Sequence, residues 1–130
     1  MSRPRILSVG QCGFDHGSLS RFLGRHFQAE VVPAATTPEA LEDLHGGHFD
    51  LVLVNRILDD DGSSGLDLIR ELKADTGLAA IPIMLVSNYA DAQEQAQELG
   101  AAPGFGKADL HTVRSHERIE VALGLRTASA

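Results

Sequence analysis

Short runs of aliphatic residues alternate with longer, amphipathic segments along the whole chain. Two of the runs, Leu51–Val54 and Ile81–Val86, are apolar at both odd and even positions. That pattern is typical of central parallel strands that are covered on both faces. Five runs in all are predicted to be strands: Arg5–Val9, Glu30–Ala34, Asp50–Asn55, Ile81–Val86 and Ala102–Gly106.

The segments between these runs carry the start and stop signals of helices. Asp15 and Thr37 precede two segments as candidate caps, and Gly100 follows a third as a left-handed cap. Short strands that alternate with helices require parallel pairing and right-handed crossovers, which predicts a doubly wound α/β fold with both faces of the sheet covered. The predicted helices are Ser18–Phe27, Pro38–Leu44, Gly65–Lys73, Ala90–Leu99 and a last one from Asp109 to about Leu123.

Composition and charge limit the classes of function. The 130 residues carry 18 acidic and 11 basic side chains, a net charge of −7, and no basic cluster. Direct nucleic-acid binding, which needs a concentrated cationic surface, is therefore not expected. Cys12 is the only cysteine, and no segment could span a bilayer. We expect a cytoplasmic protein without membrane contact, with one domain over residues 1–125 and a short tail at 126–130.

The residues that follow the strands are where function is expected. In doubly wound folds the functional crevice lies beyond the carboxyl ends of the strands, at the switch in strand order. The residues at these ends are Gly10, Gln11, Asn55, Ser87 and Lys107. The sequence therefore predicts a crevice that contains a hydroxyl, an ammonium group and two amides.

Four segments, in this order and spacing, resemble the receiver domain of two-component response regulators (CheY-like). They are RILSVGQ, FDLVLVNRIL, IPIMLVSNYAD and ELGAAPGFGKADL, and they cover nearly the whole chain. The resemblance implies a flavodoxin-like (βα)5 three-layer sandwich with the parallel sheet order 2-1-3-4-5. It also implies the family's phosphorelay chemistry. An aspartate ending the third strand accepts a phosphoryl group from a histidine kinase, two acids hold Mg²⁺, and a Ser/Thr and a Lys contact the phosphoryl oxygens.

Residue by residue, the resemblance implies a degenerate receiver, or pseudo-receiver. Ser87 and Lys107 match the hydroxyl and ammonium positions, whereas Asn55 falls at the phosphoacceptor position. Gly10 and Gln11 fall at the acidic pair. An amide is not a useful nucleophile toward phosphorus, and a site without carboxylates attracts Mg²⁺ poorly. We therefore expect no enzymatic activity, no cofactor, doubtful Mg²⁺ binding and a signalling role that is independent of phosphorylation at Asn55.

Two further departures concern the switch between states. Gly104 stands where the family often has an aromatic switch residue, and Ala108 replaces the usual proline. The loop after Asn55 is also longer than usual. Our hypothesis is a locked, one-state version of a phosphorylation switch, in which neutral amides hydrogen-bond to Lys107 without the repulsion of an acidic cluster.

Two alternatives for the crevice stay open. Asp59, Asp60 or Asp61 could accept a phosphoryl group if their loop folded back over the crevice, or one of them could pair with Lys107. The simpler interpretation of DDDGSSG is a solvated acidic turn. Alternatively, the vacated crevice, with its amides, Ser87 and Lys107, could bind a small anion or a phosphorylated ligand.

Two minor hypotheses concern a thiol and a histidine pair. Cys12 lies near the predicted crevice, where it could sense oxidants, although an inert thiol is the simpler interpretation. His45 and His48 could clamp a metal, and His111 and His116 lie on the last helix, but no third ligand is near in the sequence.

The expected partner is another protein: a kinase, an output domain or a regulator. In the family, the face made by the fourth helix, the fifth strand and the fifth helix commonly meets partners. Phe105 and a few aliphatic residues are the predicted apolar anchors, and a homodimer through this face is a further expectation. The matching segments are Tyr89–Gly100, Ala102–Gly106 and Asp109–Leu123.

Overall fold

Five parallel strands form a single sheet in a computed structural model that describes residues 3–126. The predicted tail lies outside the described residues except for Arg126. The strands are β1 (Arg5–Val9), β2 (Glu30–Ala34), β3 (Leu51–Asn55), β4 (Ile83–Val86) and β5 (Ala102–Phe105). Their order across the sheet is β2-β1-β3-β4-β5, so the predicted doubly wound, flavodoxin-like topology is confirmed.

Helices connect the strands and follow the last of them: α1 (Gly13–Phe27), α2 (Thr37–Gly46), α3 (Gly65–Ala74), α4 (Ala90–Glu98) and α5 (Val113–Ala122). The hydroxyls of Thr36, Ser64 and Thr112 accept backbone N–H bonds at the starts of α2, α3 and α5. These bonds satisfy donors that have no partner within the helix. Within residues 3–126, no helix is long and apolar enough to cross a membrane.

Three helices begin at other residues than predicted. α2 begins at Thr37 rather than Pro38, so its cap is Thr36 rather than Thr37. α1 begins at Gly13 rather than Ser18, so Asp15 lies inside the first turn instead of capping it. α5 begins at Val113 because a separate 3₁₀ turn covers Lys107–Asp109. An acid favours the positive end of a helix dipole both at the cap and in the first turn, and the sequence signal is the same for both positions. Gly100 is confirmed as a left-handed residue after α4, with φ of +107°.

The core consists of two apolar layers, one on each face of the sheet. Leu51 and Leu53 of β3 pack with residues of α1 and α5, whereas Val52 and Val54 pack with residues of α2, α3 and α4. All four side chains are fully buried. The continuous apolar run of β3 is therefore explained by burial on both faces, which fixes the strand ends that carry the crevice residues.

Candidate functional site

The carboxyl edge of the sheet brings most of the predicted crevice residues together. Asn55, Ser87 and Lys107 line one cavity of about 180 Å³. Gly10 joins this group through Asn55, whose Nδ2 donates to the Gly10 carbonyl oxygen at 3.1 Å. Gln11 does not line the cavity: both polar atoms of its amide are buried, and neither has a hydrogen-bond partner among the described residues.

The loop after β3 closes over Gly10. Gly10 has φ of +76°, and a Cβ at this position would lie 2.3 Å from Leu58 Cδ2 and 2.8 Å from Leu58 Cα. Leu58 is fully buried, and the N–H of Asp59 donates to the Gly10 carbonyl oxygen at 2.9 Å. A side chain at position 10 would thus meet both backbone strain and a leucine. The first of the two positions predicted for the acidic pair is occupied by packed apolar side chain and backbone.

Both polar atoms of the Asn55 side-chain amide form hydrogen bonds with backbone groups. Its Nδ2 donates to Gly10, as described, and its Oδ1 accepts the N–H of Arg56 at 3.1 Å. The hypothesis that neutral amides bind Lys107 is wrong, because within residues 3–126 the partner of Lys107 is an acid on α1. Asn55 is thus a structural link between β3 and the end of β1.

That acid is Asp15, for which the sequence predicts only the role of a helix cap. Lys107 Nζ lies 2.6 Å from Asp15 Oδ2, and the Cys12 thiol donates to the same carboxylate oxygen at 3.3 Å. The hydrogen bond from Lys107 holds the pKa of Asp15 below its usual value, against the opposing effect of partial burial. The Lys107 ammonium group is therefore already ion-paired within the protein.

The three aspartates after β3 do not take part in this pair. Asp59, Asp60 and Asp61 are exposed, and none of them lines the Lys107 cavity. Asp61 accepts hydrogen bonds from the backbone N–H and the hydroxyl of Ser63, at 3.0 and 2.7 Å, which lowers the pKa of Asp61. The suggested ion pair between this loop and Lys107 is wrong. The loop is a local acidic turn, and the segment that leads into it places Leu58 over Gly10.

The Ser87 hydroxyl accepts a hydrogen bond at the start of α4. Its side chain is buried, and its Oγ accepts the N–H of Tyr89 at 3.1 Å. Its own N–H donates to the Phe105 carbonyl oxygen at 3.0 Å, so the residue joins β4, β5 and α4. The hydroxyl lines the Lys107 cavity with one acceptor site already occupied.

Gln93 of α4 is a residue that the sequence reasoning missed. Its Nε2 donates to the carbonyl oxygens of Leu85 and Ser87, at 2.9 and 3.0 Å, and its Oε1 accepts the N–H of Gly104 at 3.2 Å. The side chain thus ties the end of β4 to β5, beside the register shift between these strands. A lone polar residue on an otherwise alanine-rich helix face was the one available signal.

The close approach of β5 to β4 and to Gln93 requires a glycine at position 104. A Cβ at Gly104 would lie 2.1 Å from the Leu85 carbonyl oxygen and 2.8 Å from Gln93 Oε1. Backbone and amide oxygens cannot withdraw as a flexible side chain would, so any larger residue would push β5 away from β4. The predicted absence of an aromatic switch residue therefore has a packing cause.

His45, in the last turn of α2, and His48, in the loop after it, lie beside different acids. His45 Nε2 lies 3.1 Å from Asp75, and His48 Nε2 lies 3.0 Å from Asp50. No group of three metal-ligating side chains occurs among residues 3–126. The metal clamp suggested by HGGH is therefore not formed.

The face of α4, β5 and α5 differs from the prediction in its anchor. Phe105 is buried, with 2% of its surface exposed, because it packs between the sheet and the layer of α1 and α5. The large apolar side chains that are exposed in these segments are Tyr89, Val113 and Val121. An apolar contact there would use these residues rather than Phe105.

Comparisons with solved structures show which proteins share this fold. The receiver domain of Klebsiella pneumoniae RstA, solved in a BeF3-activated form, aligns with a TM-score of 0.77 at 24% identity, over 92% of this chain and 97% of its own. The receiver domain of a DNA-binding response regulator (merR) from Colwellia psychrerythraea aligns with a TM-score of 0.76 at 22% identity, over 91% and 97%. The chemotaxis response regulator CheY4 of Vibrio cholerae gives 0.70 at 17% identity, over 95% and 98%.

Sequence comparison adds no closer relationship. No protein-family model matches the chain, and no curated protein matches it either. The structural similarity covers almost the full length of both partners in each comparison, so it concerns the whole domain rather than one motif. The chain has the fold of response regulator receiver domains.

Proposed function

We propose that this chain is a receiver-like signalling module of a two-component pathway that acts through protein contacts, without phosphoryl transfer to Asn55. The fold supports the signalling class. The proposed absence of phosphoryl transfer is supported by the closure of Leu58 over Gly10. Asn55 and Asp59 both donate hydrogen bonds to the Gly10 carbonyl oxygen. An acidic side chain at position 10 would therefore collide with Leu58.

The chemistry of the remaining crevice agrees with this proposal. Asn55 offers no nucleophile, and Mg²⁺ requires hard anionic oxygens in octahedral geometry. Among residues 3–126, the carboxylate that pairs with Lys107 is that of Asp15, which also accepts a hydrogen bond from Cys12. A small anion would have to displace Asp15 from Lys107, which also weighs against the alternative of a ligand-binding crevice. The module is accordingly proposed to have no enzymatic activity and no cofactor.

A single conformation is proposed for the elements next to the crevice. Gln93 joins Leu85, Ser87 and Gly104 by three hydrogen bonds, and Gly104 leaves no side chain that could move between two positions. A switch needs an element with two discrete packings, and this segment is held in one.

The partner is proposed to be a protein: a kinase, an output domain or a regulator that recognises the single state. The face of α4, β5 and α5 is the proposed contact surface, with exposed Tyr89 and Val113 as apolar contacts. A homodimer through the same face is the second arrangement that this surface would allow. The excess of acidic side chains on the chain opposes binding to nucleic acid.

The test is phosphorylation by acetyl phosphate and Mg²⁺, followed by intact-mass spectrometry. We expect no mass increase for this chain, whereas the Klebsiella pneumoniae RstA receiver domain, run in parallel, provides the positive control. Rapid phosphorylation of this chain would overturn the proposal. Mapping of the modified residue to Asp59, Asp60 or Asp61 would then establish the alternative phosphoacceptor.

A further inference from the structure

A second cavity, of about 380 Å³, lies between α4, β5 and α5 and is lined by two arginines. They are Arg114, which is exposed, and Arg118, whose guanidinium donates one hydrogen bond to the Gly104 carbonyl oxygen. Within residues 3–126, neither arginine lies within 4 Å of a carboxylate oxygen. Most of their donors are therefore available to a partner molecule.

The charge of the cavity has the opposite sign to that of the chain. Asp109 is the one acidic residue of its lining, so the two arginines leave a net charge of +1, whereas the chain carries −7. A local positive site on an acidic protein attracts carboxylates selectively, because the rest of the surface repels them.

The walls of the cavity are held in place before any ligand arrives. Gln93 bonds the backbone of β4 and β5 on one side. On the other side, the Thr112 and Ser115 hydroxyls both donate to the Asp109 carbonyl oxygen, at 2.8 and 2.7 Å. The protons of these two hydroxyls are thus already used, and the guanidinium groups are the charged donors that the cavity offers. A preorganised cavity loses little entropy on binding.

From this geometry we infer that the cavity binds an acidic side chain of a protein partner, through Arg114 and Arg118. The inference rests on the proposed function, since it names the partner chemistry at the proposed contact face. A peptide side chain is favoured over a small free anion because a cavity of about 380 Å³ is larger than such an anion would fill, and Ala90 in its lining offers an apolar contact. Guanidinium groups bind carboxylates with paired, charge-assisted hydrogen bonds.

The test is an amide NMR titration of the isotope-labelled protein with a blocked peptide, acetyl-Gly-Glu-Glu-Leu-Gly-amide. We expect saturable shifts at Gly104, Gly106 and Ser115, and none with the same peptide carrying glutamine in place of glutamate. Arg114→Gln should weaken binding roughly tenfold, the factor that fits loss of one charge-assisted hydrogen bond. Arg21→Gln, an equal charge change at an exposed site of α1, should leave the affinity unchanged.

Several outcomes would overturn the inference. Equal weakening by Arg114→Gln and Arg21→Gln would indicate unspecific charge attraction, and equal binding of the glutamine peptide would remove the role of the acid. The same shifts with inorganic phosphate alone would show a free-anion site, and no shift at millimolar peptide would show no site. Failure of the proposed function would appear elsewhere, as shifts of the Gln11 and Asn55 amides with Mg²⁺ and beryllofluoride.

Discussion

At the scale of single residues, the Gly10 carbonyl oxygen accepts two hydrogen bonds from uncharged donors, at a position where the resemblance to receiver domains implies an acidic side chain. It accepts from Asn55 Nδ2 and from the backbone of Asp59. A buried carbonyl that lacks a donor costs free energy, so both donors contribute to stability. An amide at position 55 is accordingly useful for the fold, in addition to being inert toward phosphorus.

Asn55→Asp is therefore expected to destabilise the protein without creating a phosphoacceptor. A carboxylate facing the Gly10 carbonyl cannot donate, so the free energy of unfolding at neutral pH should fall by about 1–3 kcal/mol. The loss should shrink in acid, where the protonated carboxyl can donate again. Urea unfolding measures the stability, and acetyl phosphate labelling measures the chemistry.

The matched control for this prediction is Asn88→Asp. The Oδ1 of Asn88 accepts the N–H of Ala108 at 3.3 Å, and a carboxylate preserves that bond. Similar stability losses in the two variants would contradict the account of Asn55, as would labelling of the Asn55→Asp protein at the rate of the RstA receiver domain.

The Asp15–Lys107 ion pair gives a pH-dependent contribution to stability. Because Lys107 lowers the pKa of Asp15 below 3.8, folding is favoured by the pair above that pH, and the contribution is lost as the pH falls through the lowered pKa. Asp15→Asn should cost roughly 1 kcal/mol or less at neutral pH, since the pair is partly exposed. Wild type and variant should become equally stable in strong acid.

Asp60→Asn, which makes the same charge change in the exposed loop after β3, is the control for Asp15→Asn. Denaturant unfolding across the acid range is the measurement. A stability difference between wild type and Asp15→Asn that persists unchanged below the pKa of Asp15 would show that the ion pair is not its source.

At the scale of elements, the contact between α4 and β5 holds the region that would otherwise switch. Gln93→Leu keeps the size of the side chain and removes three hydrogen bonds to the backbone of Leu85, Ser87 and Gly104. We expect a loss of roughly 2 kcal/mol or more in the free energy of unfolding, and faster hydrogen exchange at the Gly104 amide.

Gln97→Leu, on an exposed site of the same helix, provides the comparison for Gln93→Leu. Its stability should stay close to that of the wild type, because surface substitutions without such contacts have small effects. If both variants are equally stable, Gln93 does not hold β4 and β5 together, and the one-state proposal loses its main support.

The helices and strands could be predicted because burial of one or both faces imposes a periodic pattern of apolar residues on the sequence. The apolar runs of β1, β3 and β4 and the glycine after α4 follow from local rules, and the structure confirms them. Contacts between segments that are distant in sequence produce no such pattern. The closure of Leu58 over Gly10 and the pairing of Asp15 with Lys107 depend on loop conformation, so the sequence predicted the crevice residues but not their partners.

At the scale of the whole molecule, fold and chemistry are separable. A core made of one apolar layer on each face of a sheet requires only apolar residues of suitable size at the buried positions. Domains at 17–24% identity therefore superimpose over nearly their full length. Phosphoryl transfer needs particular side chains at a few strand ends. Here those ends hold Gly10, Gln11 and Asn55, and the loop has closed over the first of them.

The measurement that tests the central claim most directly is an amide NMR titration with Mg²⁺, followed by Mg²⁺ with beryllofluoride, a mimic of the acyl phosphate. The account predicts that the amides of Gln11, Asn55, Ser87 and Lys107 do not move, while the RstA receiver domain responds under the same conditions. Concerted, saturating shifts of these amides would contradict it, because they would show that metal and phosphoryl chemistry persist at this crevice.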